Sequence, residues 1–192
     1  MQTAISWEQR KLDSIMANFI VPMRDKPKVF DGNIPWARIE DIEGRYLNGT
    51  HSGQYVSHKT IAEMNLKIMP SHSLIVSASA TFGVVAIVTT DLTTNQTFIG
   101  LVPNDGFDID FLYMLFQTES ARKYMREKSS GSTIFYINQN DFKNMFVVIP
   151  SVLEQKRIGK IFKDLDTLIT LHQRKCEKLK NLKKSLLEKM FV

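Results

Sequence analysis

Residues 151–192 read SVLEQKRIGKIFKDLDTLITLHQRKCEKLKNLKKSLLEKMFV, with one glycine, no proline, and an abundance of Leu, Lys and Glu. The segment opens with Ser151-Val152-Leu153-Glu154, the pattern of a capping box. The serine oxygen accepts from the amide three residues on, and the glutamate reaches back to the serine amide. Pro150 stands just before it and closes the preceding element. Behind the cap, Ile158, Ile161, Leu165, Leu168, His172, Lys175, Leu179, Leu182, Leu186 and Lys189 alternate at spacings of three and four, as a and d positions do in a coiled coil. Lys175 and Lys189 interrupt this seam, and their neighbours Cys176 and Met190 cover part of the gap. At ~1.5 Å per residue, about forty residues make a rod of roughly 60 Å. That outreaches a domain of ~150 residues, whose radius of gyration is ~15 Å. The pattern therefore predicts one long C-terminal coiled-coil helix, with Ile158, Ile161, Leu165, Leu168, His172, Leu179, Leu182 and Leu186 facing a second helix. The alternative is a helix lying wholly on its own domain.

Upstream, residues 1–150 have a different texture. Ile34–Ile39, Leu74–Ser77, Val84–Thr90, Phe98–Val102 and Phe146–Ile149 are β-branched or aromatic runs bounded by Gly, Pro, Asn, Asp or Ser, and read as short strands. Asp108–Lys128 reads as helix, because Phe111, Leu112, Leu115 and Phe116 recur at helical spacing. Thr118 divides it and caps a second piece. Gly44–Lys59 and Ser129–Asn140 read as polar loops, the second interrupted by an apolar patch. The fold class is therefore α/β (α+β), a head of short mixed strands over residues 1–150 followed by a spacer or dimerisation helix over 151–192.

Composition narrows the function classes. The net charge is +5, but residues 151–192 hold eleven Lys and Arg against five Asp and Glu, leaving the head at −1. A DNA-binding head must then work through a local face and neutral hydrogen-bonding groups. No run of ~18 apolar residues is present, which excludes a membrane-spanning helix. Met1–Lys11 is polar and carries no signal-peptide pattern. The single cysteine, Cys176, builds neither a disulfide framework nor a zinc site, and fits a reducing cytoplasm.

Catalytic patterns are weak. Asp141 with Glu154-Gln155-Lys156 has the outline of a Mg²⁺-nuclease set, but Glu154 is better explained by the capping box. There is no Gly-rich cofactor loop after a strand and no Asn/Asp-Pro-Pro-aromatic tetrapeptide of a methyltransferase. His51, His58, His72 and His172 lack metal-ligand spacing. No cofactor and no metal is expected.

Several stretches, taken in order, carry a resemblance. They are Trp7–Leu12; Ile34-Pro35-Trp36-Ala37-Arg38-Ile39 with Asp41-Ile42; Ser77–Val88; Asn95–Ile99; and Gly131-Ser132-Thr133 with Ile137-Asn138 and Phe142. Pro150, Leu153–Ile158 and the closing Leu186–Phe191 complete the series. Together they resemble the specificity subunits of type I restriction-modification systems. Those subunits hold two recognition domains and two spacer helices, whereas this chain has one of each, the content of a natural or excised half. Phe82 and Val84 also depart from the family pattern, which has a lysine there.

The resemblance implies a non-catalytic target-recognition domain that binds double-stranded DNA. Methyltransferase and nuclease subunits supply the chemistry, and the spacer helix pairs antiparallel with that of a second copy or a different half. It points to three polar segments and some isolated cations. Candidate DNA-binding residues are Lys28, Arg38, Arg45, Thr50, His51, Gln54, Ser79, Thr81, Lys128, Ser130, Ser132, Thr133 and Asn138. Any of these taken singly is more often a solvated loop residue; the case rests on the loops as sets. The basic face of the helix either solvates the coiled coil or lies near DNA or an acidic subunit. A rival reading is a coiled-coil adaptor whose near-neutral head binds protein.

Overall fold

The computed structural model describes residues 7–78, 83–129 and 136–191. Its elements run β1 (Glu8–Lys11), β2 (Met16–Ile20), β3 (Ile34–Ala37), β4 (Ile42–Glu43), β5 (Tyr46–Leu47), β6 (Tyr55–Val56), α1 (His58–Met64), β7 (Ile68–Met69) and β8 (Leu74–Ser77). There follow β9 (Val85–Val88), β10 (Leu92–Thr94), β11 (Phe98–Pro103), α2 (Ile109–Gln117), α3 (Glu119–Lys128), α4 (Gln139–Lys143), β12 (Phe146–Ile149) and α5 (Val152–Met190). The mixed α/β head and the long terminal helix agree with the sequence reading.

The centre is a six-stranded sheet in the order β2-β11-β8-β9-β5-β4. All its pairings are antiparallel except the parallel β5–β9 pair. Every residue of β8 and β9 is buried, and strand alternation divides them between two cores. Leu74, Val76, Val85 and Ile87 join α2, α3 and α4 on one face. Ile75, Ala86 and Val88 pack with Ala37, Met69 and Leu92 on the other. Those last three belong to a four-stranded sheet, β6-β3-β10-β7. A continuous apolar run is therefore the right composition for a strand covered on both sides. Gly100 of β11 lets Met69 approach, since a Cβ there would collide with the Met69 sulfur. Trp36, with Ile34, Val56 and Leu66, anchors a third cluster beneath α1.

The helical segment 108–128 breaks where its sequence directs. The Asp108 side chain accepts from the Phe111 amide at 2.8 Å and starts α2. Thr118 ends α2 and caps α3, accepting from the Ala121 amide at 3.3 Å. Gly44–Lys59, read above as one loop, is instead divided. Glu43 and Tyr46 face each other across the two-residue turn Gly44-Arg45, which Gly44 makes at φ +61°. Farther on, β6 and α1 take up Tyr55–Lys59, and Lys59 lies on the solvent face of α1 beside Glu63.

Strands β1 and β12 form an antiparallel ribbon, Glu8 opposite Ile149 and Lys11 opposite Phe146. It ties the two ends of the head together at the point where α5 departs. The Ser151 oxygen accepts from the Glu154 amide at 3.4 Å, the serine half of the expected capping box, while the Glu154 carboxylate turns toward Arg157 at 3.8 Å. The first turns of α5 cross the start of α2. Gln155 is buried, donating to the Pro150 carbonyl at 2.9 Å and accepting from the Asp108 amide at 3.2 Å. Gly159 is buried directly against α2. Ile158 packs on the head core, so it belongs to the joint; its assignment to the outward seam is corrected. From Ile161 onward the stripe is open: Ile161 is 58% exposed, Leu168 52% and Leu182 55%.

A side chain at Gly159 has no room. Its Cβ would collide with Asp108 Oδ1 and stand 2.8 Å from the Phe111 amide nitrogen. Gly159→Val is expected to lower head stability by ~1–3 kcal/mol, read by urea denaturation with tryptophan fluorescence, while Lys156→Ala, at an exposed position near the same turn of α5, serves as the comparison.

Candidate nucleic-acid interface

The polar loop 48–54 is held in shape by one buried carboxylate. Asp41, 2% exposed, accepts from the Arg38 amide through Oδ2 and from the His51 amide through Oδ1, both at 2.7 Å. Burial of such a charge is tolerable because both oxygens are hydrogen-bonded. His51 Nε2 lies 2.8 Å from Glu43 Oε1, across the hairpin base. Thr50 and Ser52 exchange a hydroxyl hydrogen bond at 2.9 Å, and the Thr89 hydroxyl donates to Asn48 Oδ1 at 2.8 Å. The loop is thus a set of directional donors and acceptors on a pinned backbone, the form base or phosphate readout requires. Gln54 reaches inward, its Oε1 buried without a partner, and its backbone carbonyl accepts from the Trp36 amide at 2.9 Å. The structure therefore brings Arg38, Thr50 and His51 together around Asp41, with Gln54 at the far end of the loop.

Arg45 is elsewhere, and its assignment to the DNA face is corrected. It is 6% exposed and turns under the hairpin toward the helices. Its guanidinium donates to Asp110 Oδ1 of α2 at 2.8 Å and to Asp166 Oδ2 of α5 at 3.1 Å, and it stacks over the Tyr113 ring at 4.5 Å. Lys163 of α5 adds a contact to Asp110 Oδ2 at 3.2 Å, a hydrogen bond that holds its ammonium pKa above the ordinary value. The planar fork of arginine suits this two-carboxylate bridge. Arg45 thus locks α5 to the head and is unavailable to a groove.

Other predicted residues scatter. Lys28 is exposed beside Lys26 near α1, remote in sequence from the loop around Asp41. Arg38 pairs with Glu40 at 3.1 Å. Lys128 ends α3 in solvent. The Asn138 side chain caps α4, accepting from the Asp141 amide at 3.0 Å, so its oxygen already has a structural use. Ser79, Thr81, Ser130, Ser132 and Thr133 lie outside the described residues. Among the described residues, no group of three His, Cys, Asp or Glu side chains is placed to hold a metal ion, and no helix is long and apolar enough to cross a membrane.

The chain is thus a mixed α/β head with a pinned polar rim, joined to one long helix. The chain matches the family model described as the type I restriction modification DNA specificity domain over residues 5–181, and it belongs to that family. Among its relatives is the type I restriction enzyme MjaIX specificity subunit of Methanocaldococcus jannaschii, 28% identical over 189 residues, 97% of this chain and 44% of the relative. Another is the EcoprrI specificity subunit of Escherichia coli, 30% identical over 142 residues, 70% of this chain and 34% of the relative. The chain thus spans less than half the length of these relatives. The fold is shared with the crystallised S subunit of a type I system from M. genitalium, at TM-score 0.59 and 17% identity over 87% of this chain and 41% of that one. A structure described for complex assembly and conformational transition of the type I R-M system aligns at TM-score 0.70 and 18% identity, over 97% of this chain and 45% of that one.

The hydrogen bond to Glu43 raises the His51 pKa above its usual ~6.5. Protonation therefore favours the pinned loop below that value, and the benefit fades as pH rises through the raised one. Glu43→Gln is expected to move the His51 titration, followed by NMR, back toward ~6.5; a titration unchanged by the substitution would contradict the contact.

Proposed function

We propose that this chain reads one part of a split DNA target as a specificity module of a type I restriction-modification complex. The rim around Asp41, with Lys28 and Lys128, supplies the described polar contacts. Ser79, Thr81, Ser130, Ser132 and Thr133 complete the set on sequence grounds. From Ile161 onward α5 pairs antiparallel with the helix of a second copy or a different half, and so spaces two heads along the duplex. Methyltransferase and nuclease subunits do the chemistry; the chain itself needs no cofactor and acts in the cytoplasm.

One observation carries this reading: the family match runs through the head into a 39-residue helix whose apolar stripe is left open. A helix of that length spans roughly 58 Å, and its outer two-thirds has no head to rest on. Exposed Leu165, Leu168, Leu179, Leu182 and Leu186 are joined by Phe162, Ile169, Leu171 and Leu187, a broader band than the strict heptad. Burying such a band is worth ~25 cal/mol per Å² of apolar surface, which favours association over a lone rod in water. Relatives more than twice the aligned length support a unit in which head and helix occur twice. His172 sits in the band as a polar spacer that helps set register.

The near-neutral head keeps one other reading in view, an adaptor that binds protein. The two differ in salt dependence, because each phosphate neutralised steepens the slope of log affinity against log salt by ~0.9.

Selection of the full chain, with its methyltransferase subunit, on a random duplex library at fixed salt is expected to enrich a gapped sequence. Symmetric half-sites are expected if two copies pair. No enrichment of any sequence would refute DNA reading. Light scattering is expected to give a dimer that Leu179→Asp converts to a monomer with a folded head; a monomer at all concentrations would refute pairing through this face.

A further inference from the structure

Arg122 lies outside the polar loops that sequence patterning brings forward, yet it is the arginine of α3 held most deliberately. Its side chain runs across Gly83, where the backbone returns toward β9. A Cβ at position 83 would stand 2.8 Å from Arg122 Nε and 3.1 Å from its Cδ and Cγ. Gly83 itself has φ +90°. Both facts call for glycine: the backbone conformation is hard for other residues, and the space is taken by the arginine stem.

Two of the other α3 cations are neutralised locally, and Lys128 stands in solvent at the helix end. Arg126 pairs with Glu119, and Lys123 lies 3.8 Å from Glu127. Arg122 has no carboxylate partner among the described residues. Its Nε is shielded from solvent without an acceptor, while the residue as a whole is half-buried. Burying the Nε of a guanidinium without an acceptor is unfavourable, and an anion that drew the fork into a bidentate contact would offset it. The place is also informative. The Ser77 amide donates to the Val84 carbonyl at 2.8 Å, and the Ile137 amide donates to the Ala78 carbonyl at 2.9 Å. The ends of β8 and β9 and the chain leading into α4 therefore meet at one edge of the head, beside the arginine. A planar, always-charged fork fixed at such an edge matches phosphate oxygens in geometry and charge.

We propose that Arg122 grips a backbone phosphate of duplex DNA and so sets the register of the head on its target. This rests on the DNA-reading function proposed above. Its role is positioning: a phosphate contact acts on every sequence alike. Gly83 and Arg122 then form a unit, the glycine allowing the close crossing that aims the guanidinium.

The test is a fluorescence titration of the full chain against its selected duplex and an unrelated duplex, across a range of salt. Arg122→Gln is expected to weaken binding several-fold on both duplexes and to reduce the salt slope by about 1. Arg122→Lys keeps the stem over Gly83 and a cation, and is expected to retain most of the slope. Thermal melting of both variants reports folding separately. The proposal is overturned if Gln and Lys variants bind alike, if neither differs from the wild type, or if the loss is confined to duplexes altered at one base pair. A wild type that binds no duplex sinks the DNA-reading function along with it; a wild type that binds normally beside silent variants sinks only the assignment of Arg122.

Discussion

Everything else in the molecule depends on the crossing of α5 over the first turn of α2. Three residues make it. Gly159 removes the volume that would keep the helices apart, Gln155 satisfies the polar backbone that the close approach would strand, and Arg45 bridges Asp110 on α2 to Asp166 on α5. Arg45 and Asp110 are largely withdrawn from water, whereas Asp166 remains 40% exposed. Removal of one partner from a buried pair leaves a charge without compensation, which is costlier than the pair's net worth. The joint therefore contributes direction more than stability: it fixes the angle at which a rigid rod leaves the head.

Direction matters because the rod's outer part has no other means of being placed. Beyond Asp166 the helix is exposed on all sides, and an isolated helix in water owes its stability to packing of an amphipathic face. The proposed function, in which the head meets DNA at a defined distance from another head, calls for both features, a fixed angle at one end and an exposed apolar stripe along the shaft. The charge distribution follows the same division. The head is near neutral and presents hydrogen-bonding groups, while the shaft carries the basic excess. Under the proposed function, sequence discrimination falls to the head, and general attraction to nucleic acid or to an acidic subunit falls to the shaft.

Much of this was readable from residue patterns, and the failures have physical causes. The cap at Ser151, the break at Thr118 and the strands β8, β11 and β12 were legible because each is a local signal: a side chain satisfying nearby amides, or an apolar run between turn residues. Strands β4, β5, β6 and β7 are two residues each, too short to show any period. Arg45 misled for a different reason. Its neighbours Gly44 and Asn48 suggest an exposed loop, but its partners lie 65 and 121 residues away, and no local pattern announces a tertiary ion pair. Ile158 fits the heptad as well as Ile161 does; only the depth of the α2 crossing decides which faces home. Asp41 entered the reading only as part of the family resemblance, and its role in pinning the loop gave no signal, since an acidic residue in a turn is ordinary until two amides are seen to converge on it.

The most direct check on a locked root and an adhesive shaft is amide hydrogen exchange along α5, measured as the chain is diluted. The account predicts that residues 155–166 keep their protection at every concentration, because the head holds them, while residues 170–190 lose it as the paired helices separate. Protection that is uniform along the helix and indifferent to concentration would contradict it.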